Sequence, residues 1–234
     1  MRFFAHHPVI RCLGAHNLPR RLYSTSVFDH PNAAQFLAAA GSTESIPKLY
    51  GLPEIVVTGR ANCGKSTLLN AVLGRKTLLR TSKKAGRTRE LNFYGVGLEP
   101  GKLVVVDAPG YGERGRAEWG KIFDHYVQTR KQLRRVYILF NAKNMMNAAD
   151  TQMLQHLSSF LISDRGQQPF TLQSVITKAD TVPPEKVDEV ISSMRKQIWE
   201  AAPLCLPPVI TSAAMSPPFG IDKIRQNIAD VCRR

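Results

Sequence analysis

The sequence predicts an α/β domain: a doubly wound, six-stranded and mostly parallel sheet with helices on both faces. Three observations carry that expectation. Short β-branched runs alternate with amphipathic stretches of helical length. A glycine-rich loop stands between the first such strand and the first such helix. The 234 residues, at 43% hydrophobic content, suit one ordinary domain with tails.

Taken in order, residues 33–40 (AAQFLAAA) are expected as a short helix that Gly41-Ser42 ends. Strands are expected at 54–58, 91–96, 103–107, 136–140, 172–177 and 209–211. Helices are expected at 65–73, 117–133, 150–163, 184–201 and 221–232. Neither an internal repeat nor a low-complexity linker interrupts this alternation. The organisation expected is a leader over 1–24, an extension with the short helix over 25–52, and one globular domain over 53–234.

The leader is read from composition. Met1 to Phe28 contains no Asp or Glu, while Arg2, Arg11, Arg20 and Arg21 are spread among Phe3, Phe4, Val9, Ile10, Leu13 and Leu18. That is the composition of a mitochondrial transit peptide. Arg20-Arg21-Leu22-Tyr23-Ser24-Thr25 resembles a matrix-processing site, with cleavage near Tyr23 or Ser24 and a mature chain in the mitochondrial matrix. His6, His7, Pro8 and Arg11 interrupt any secretory apolar core. Cys12, Cys63, Cys205 and Cys232 lie far apart without metal-ligand spacing, so neither a disulfide scaffold nor a zinc site is expected. Cys63 is read as a small packing residue. No apolar run approaches the ~18 residues of a transmembrane helix. Lys plus Arg number 32 against 18 Asp plus Glu, a formal charge of +14. Such an excess favours a polyanionic partner, nucleic acid or an anionic membrane surface.

Gly59-Arg60-Ala61-Asn62-Cys63-Gly64-Lys65-Ser66, followed by Thr67, fits the phosphate-loop pattern G-x-x-x-x-G-K-[ST] after a strand and opening a helix. Its glycines let successive N–H groups point at phosphate oxygens, and the helix N-terminus adds partial positive charge. Lys65 would reach the β/γ-phosphates and the Ser66 hydroxyl would ligate Mg²⁺. Asp107-Ala108-Pro109-Gly110 closes the third expected strand. There Asp107 would hold the magnesium through water and the Gly110 amide would sense the γ-phosphate. Thr88, in the basic loop from Ser82, is the candidate switch residue closing on Mg²⁺.

The loop names a triphosphate but no base; Thr177-Lys178-Ala179-Asp180 supplies the base. Guanine offers N1–H and N2–H₂ donors that one carboxylate, Asp180, can accept together, whereas adenine opposes it with a lone pair at N1. A mismatch leaves buried polar groups unpaired and is rejected strongly. Lys178 would lie along the base face, and Ser212-Ala213 would donate backbone N–H to O6.

With these residues in place, the chain resembles the EngB family of P-loop GTPases, of the TrmE-Era-EngA-EngB-Septin-like class, in its mitochondrial branch. The likeness covers about residues 32–232. It rests on GRANCGKSTLLNAVLG, TSKKAGRTRELNFYG, VVVDAPGYG with AEWGKIFDHYVQTR, and ITKAD. The resemblance implies a Ras-like P-loop GTPase domain that binds GTP and GDP and hydrolyses GTP with Lys65, Thr88 and Asn62 as catalytic residues. It also implies a role in maturing the mitochondrial large ribosomal subunit. Asn62 stands where potassium-activated relatives hold K⁺ between phosphates, which implies a K⁺ as well as Mg²⁺. Ala85 replaces a frequent proline, Thr177 a frequent asparagine. Tyr111 stands where Ras-like enzymes carry the glutamine that orients water, which implies slow intrinsic hydrolysis.

The expected partner surface is the basic stretch Arg75, Lys76, Arg80, Lys83, Lys84, Arg87 and Arg89, opposed only by Glu90, docking on rRNA or a ribosomal protein. The run Arg130-Lys131-Gln132-Leu133-Arg134-Arg135 is read as a solvated helix end or a second basic face. The alternative function is a membrane-surface or translation-regulating GTP switch with negligible turnover, which liposome flotation and single-turnover kinetics would separate. A monomer is the default.

Overall fold

The computed structural model describes residues 27–28, 34–49, 51–79, 90–97, 102–112, 117–162 and 169–233, the side chains of 117–119 excepted. The expected leader, Thr88 and the basic residues 80–89 lie outside the described residues. Seven strands are described: β1 (Ala34–Ala40), β2 (Glu54–Gly59), β3 (Leu91–Val96), β4 (Leu103–Asp107), β5 (Leu133–Asn141), β6 (Thr171–Thr177) and β7 (Leu206–Ile210). They form one sheet in the order β1-β3-β4-β2-β5-β6-β7. β3 runs antiparallel to both β1 and β4; β4, β2, β5, β6 and β7 are mutually parallel. The helices are α1 (Lys65–Val72), α2 (Ala117–Thr129), α3 (Ala148–Ser159), α4 (Val187–Ala201) and α5 (Ile221–Cys232).

The central strands are near-continuous apolar runs because both their faces are covered. Along β5, Val136, Ile138 and Phe140 pack into one core with α2, α3 and α4, while Tyr137 and Leu139 pack into the other with α1 and α5. β4 divides likewise, Val104 and Val106 against Leu103 and Val105. This two-residue alternation makes the sheet doubly wound. Among the described residues, no helix is long and apolar enough to cross a membrane.

The expected helix at 33–40 is a strand, and the sheet therefore has seven strands and not six. Ala favours helix, but two turns cannot hold alone in water. The open edge of β3 offers backbone partners instead, and β1 takes them from Ala34↔Val96 to Ala40↔Leu91. Phe36 then packs edge-on against Tyr94, with ring centroids 5.7 Å apart. The helix expected to reach 133 stops at Thr129, because Arg130 turns back onto Glu54 and Leu133 opens β5. The run 130–135 is thus a turn and a strand start, not a helix end: Arg135 donates to Thr171 (2.8 Å) and lies against α5 through Asn227. β7 starts earlier than expected and contains Pro207 and Pro208, tolerated because it lies at the sheet edge. α3 starts two residues early, capped by a reciprocal pair of bonds between Asn147 and Asp150. The first turn of the helix expected at 184–201 is 3₁₀, Pro184–Lys186.

Candidate functional site

The sequence-assigned residues gather at the carboxyl ends of β2, β4, β6 and β7, where open α/β sheets place ligands. β2 ends in Gly59, and the chain curls through Arg60, Ala61, Asn62 (φ 63°) and Cys63 before Gly64 opens α1. A Cβ at Gly59 would fall 2.5 Å from the Cys63 sulfur and 3.0 Å from the Leu139 carbonyl, so only glycine fits. No side chain caps α1, and its first turn holds no acidic residue. Its leading N–H groups are therefore left for an anion. Lys65, Ser66 and Thr67 occupy that first turn. Cys63 is buried, and burial pushes its thiol up to about 11, so it packs and does not react.

Four contacts join the motifs. The Lys65 ammonium donates to Asp107, buried at the end of β4. Burial raises the Asp107 carboxyl, and the Lys65 charge opposes that shift. The Thr177 hydroxyl bonds to the Cys63 carbonyl and lies 3.1 Å from that of Phe140. With one proton it can serve one of these at a time. Lys178, left-handed at φ 56°, donates to the Asn62 carbonyl at 3.0 Å. The Asp180 amide donates to the Ser212 hydroxyl at 3.1 Å, tying the TKAD turn to the segment after β7. Asp180 is exposed, Ser212 buried and Ala213 half-buried against the α1/α5 core. Thr88 alone of the assigned residues lies outside the described set.

Gly110 lies against the phosphate loop itself: a Cβ there would come within 3.2 Å of the Ala61 amide nitrogen and the Gly59 carbonyl. Arg60 and Tyr111 pair as a parallel β-bridge beside it. Asp150 was absent from the sequence-assigned set, yet it joins both. Its carboxylate accepts from the Tyr111 hydroxyl (2.9 Å) and lies 3.3 Å from an Arg60 guanidinium nitrogen. No spacing signal links these three, because they come from a loop, a strand exit and a helix cap.

The donors suit magnesium: a hydroxyl at Ser66 and a carboxylate at Asp107 are hard oxygens. Among the described residues no cluster of three His, Cys, Asp or Glu side chains exists.

Comparison with known proteins agrees with this geometry. The family model described as 50S ribosome-binding GTPase matches residues 54–178. The probable GTP-binding protein EngB of Streptococcus mutans is 38% identical over 178 residues, covering 74% of this chain and 84% of that protein. Its counterpart in Hyphomonas neptunium is 34% identical over 208 residues, covering 82% and 89%. Among solved structures, Era of Aquifex aeolicus bound to GDP·AlF₄⁻ superposes with a TM-score of 0.57 at 23% identity, covering 77% of this chain. The chain spans about half of Era, 56% of its length. Toc33 of Arabidopsis thaliana with Mg²⁺ and GMPPNP superposes with a TM-score of 0.56 at 14% identity, covering 78% of this chain and 85% of that one. At these identities the two structures speak for the fold alone. The chain belongs to the EngB family of P-loop GTPases and is a GTP-binding protein of that type.

Proposed function

We propose that this chain is a slow GTPase of the mitochondrial matrix that docks on the large ribosomal subunit during its assembly. The carrying observation is the match to the 50S ribosome-binding GTPase family over the segment that holds the phosphate loop, Asp107 and Thr177-Lys178. The strongly basic charge and the acid-free, arginine-bearing leader support the partner and the address.

In this reading Gly59 to Thr67 wrap the phosphates, with Lys65 moving from Asp107 to a β/γ oxygen. Asp180 accepts from guanine N1–H and N2–H₂, Lys178 covers the base, and the Ala213 amide meets O6 from the other side, since the Ser212 amide expected there already donates to the Phe219 carbonyl at 3.0 Å. Ser66, Thr88 and Asp107 would hold a magnesium ion, which would supply positive charge at the phosphate oxygens. Lys65 and the α1 amides stabilise the charge that builds as water attacks the γ-phosphorus and the bond to the β-phosphate oxygen breaks. Tyr111 offers no side-chain amide to orient that water, and its hydroxyl is engaged by Asp150. Hydrolysis is therefore slow without help. Asn62 is exposed within the phosphate loop, and a K⁺ held there would add charge where other GTPases use an arginine.

The test is sedimentation of the processed protein with mitochondrial large subunits in physiological KCl, comparing a non-hydrolysable GTP analogue with GDP. Cosedimentation with the analogue and release with GDP is the expected result. Equal absence in both states would contradict the ribosomal partner while leaving the GTPase intact.

A further inference from the structure

Asp150 is 1% exposed and Tyr111 4%, so neither meets solvent or a bound nucleotide directly. Both carboxylate oxygens of Asp150 are nonetheless engaged. One oxygen accepts from Tyr111; the other accepts from the Asn147 amide (3.1 Å) and faces Arg60. Arg60 also donates to the Met145 carbonyl at 3.4 Å. Each donor comes from a different segment: the phosphate loop, the exit from β4, and the N-terminus of α3. Burial, reinforced by Asp150, pushes the Tyr111 phenol well above its ordinary range, so it is a permanent donor. A buried carboxylate tolerates the loss of such a partner poorly.

We infer that Asp150 and Tyr111 are positioning residues that hold the Gly110 amide against the phosphate loop and so set the preference for a triphosphate over a diphosphate. The inference rests on the GTP-binding assignment of the same site. Gly110 packs against Gly59 and Ala61 and is one residue from Tyr111, which is bridged to Arg60 and bonded to Asp150, so these two contacts hold Gly110 beside the loop. GDP is held by the loop, α1 and the base pocket, and does not draw on Gly110. A γ-phosphate does. Ordering Gly110 in advance lowers the cost of accepting that phosphate.

The experiment measures dissociation constants of the full chain for GDP and for a non-hydrolysable GTP analogue, both with Mg²⁺, alongside the thermal midpoint. Tyr111→Phe keeps the ring and removes only the hydroxyl; Asp150→Asn removes the shared acceptor. Both should weaken the analogue by at least about fivefold, the low end of coupling between linked sites, while GDP stays within about twofold. Equal weakening of both nucleotides, or no change in either, would overturn the inference whatever the midpoint does. If Asp150→Asn does not fold, Tyr111→Phe decides. A wild-type chain that bound neither nucleotide would overturn the GTP-binding assignment, a failure separate from altered selectivity.

Discussion

Two clusters at opposite ends of β2 each join a buried carboxylate to a tyrosine and an arginine. At its start, Glu54 accepts from Tyr126 and from Arg130, whose Nε and Nη2 reach the carboxylate at 2.7–2.9 Å. Beyond its end, Asp150 accepts from Tyr111 and faces Arg60 through one nitrogen at 3.3 Å. The first cluster joins β2 to the end of α2 and, through the Pro47 carbonyl (3.0 Å), to the extension. The second has its arginine, which also donates to the Met145 carbonyl, inside the phosphate loop. A carboxylate gripped through both oxygens by one arginine serves the fold, whereas a carboxylate divided among three segments ties the parts of the site together.

The largest expected effect breaks the first cluster. Arg130→Ala should cost roughly 3–5 kcal/mol of unfolding free energy, since it strands a buried carboxylate. Denaturant titration reads this, and GDP affinity of the folded fraction should be unchanged. At the other end, Lys65→Ala should cut nucleotide turnover roughly a hundredfold or more, the scale of a lost transition-state donor, with a far smaller change in the denaturant midpoint. If Lys65→Ala instead unfolded the chain while Arg130→Ala impaired only turnover, the division of labour would be reversed. Alkali acts on both clusters together. Burial first, and then the carboxylate, pushes both phenols above the ordinary value of 10.0. The folded state thus keeps protons that the unfolded chain loses, and stability falls as pH rises past that value. The slope is about 1.4 kcal/mol per pH unit for each phenol, with Tyr94 and Tyr137 shifted in the same direction. Stability that stayed flat to pH 11 would contradict the buried placement of these hydroxyls. The smallest effect is Thr58→Val, one residue before the phosphate loop. The Thr58 hydroxyl is buried within β2 with no hydrogen-bond partner among the described residues. Removing it should raise stability by up to ~1 kcal/mol.

The site was legible in the sequence where chemistry demands contiguous residues. The phosphate loop needs its glycines and Lys65 within one turn, and Asp107-Ala108-Pro109-Gly110 and TKAD each sit whole at a strand end. The fold was legible where strands are apolar runs, as in β2 and β4. Reading failed where partners are distant. Ala34–Ala40 looks helical by composition, and only the free edge of β3 makes it a strand. Arg130 looks like a helix-end charge, and only Glu54, far back in the chain, explains why α2 stops. Asp150 is only the first residue of an expected helix, and its bond from Tyr111 comes from a residue that no spacing ties to it. Pro207-Pro208 hides a strand because a lost donor matters little at a sheet edge.

The claim that the carboxyl end of the sheet holds a guanine nucleotide is tested most directly at Asp180. Dissociation constants of GDP and xanthosine diphosphate should be measured for the wild type and for Asp180→Asn, because xanthine O2 accepts where guanine N2 donates. Wild type should prefer GDP, and the variant should prefer xanthosine diphosphate. A variant that bound GDP as tightly as wild type, with xanthosine diphosphate no better, would place the base somewhere other than between Lys178, Asp180 and Ser212.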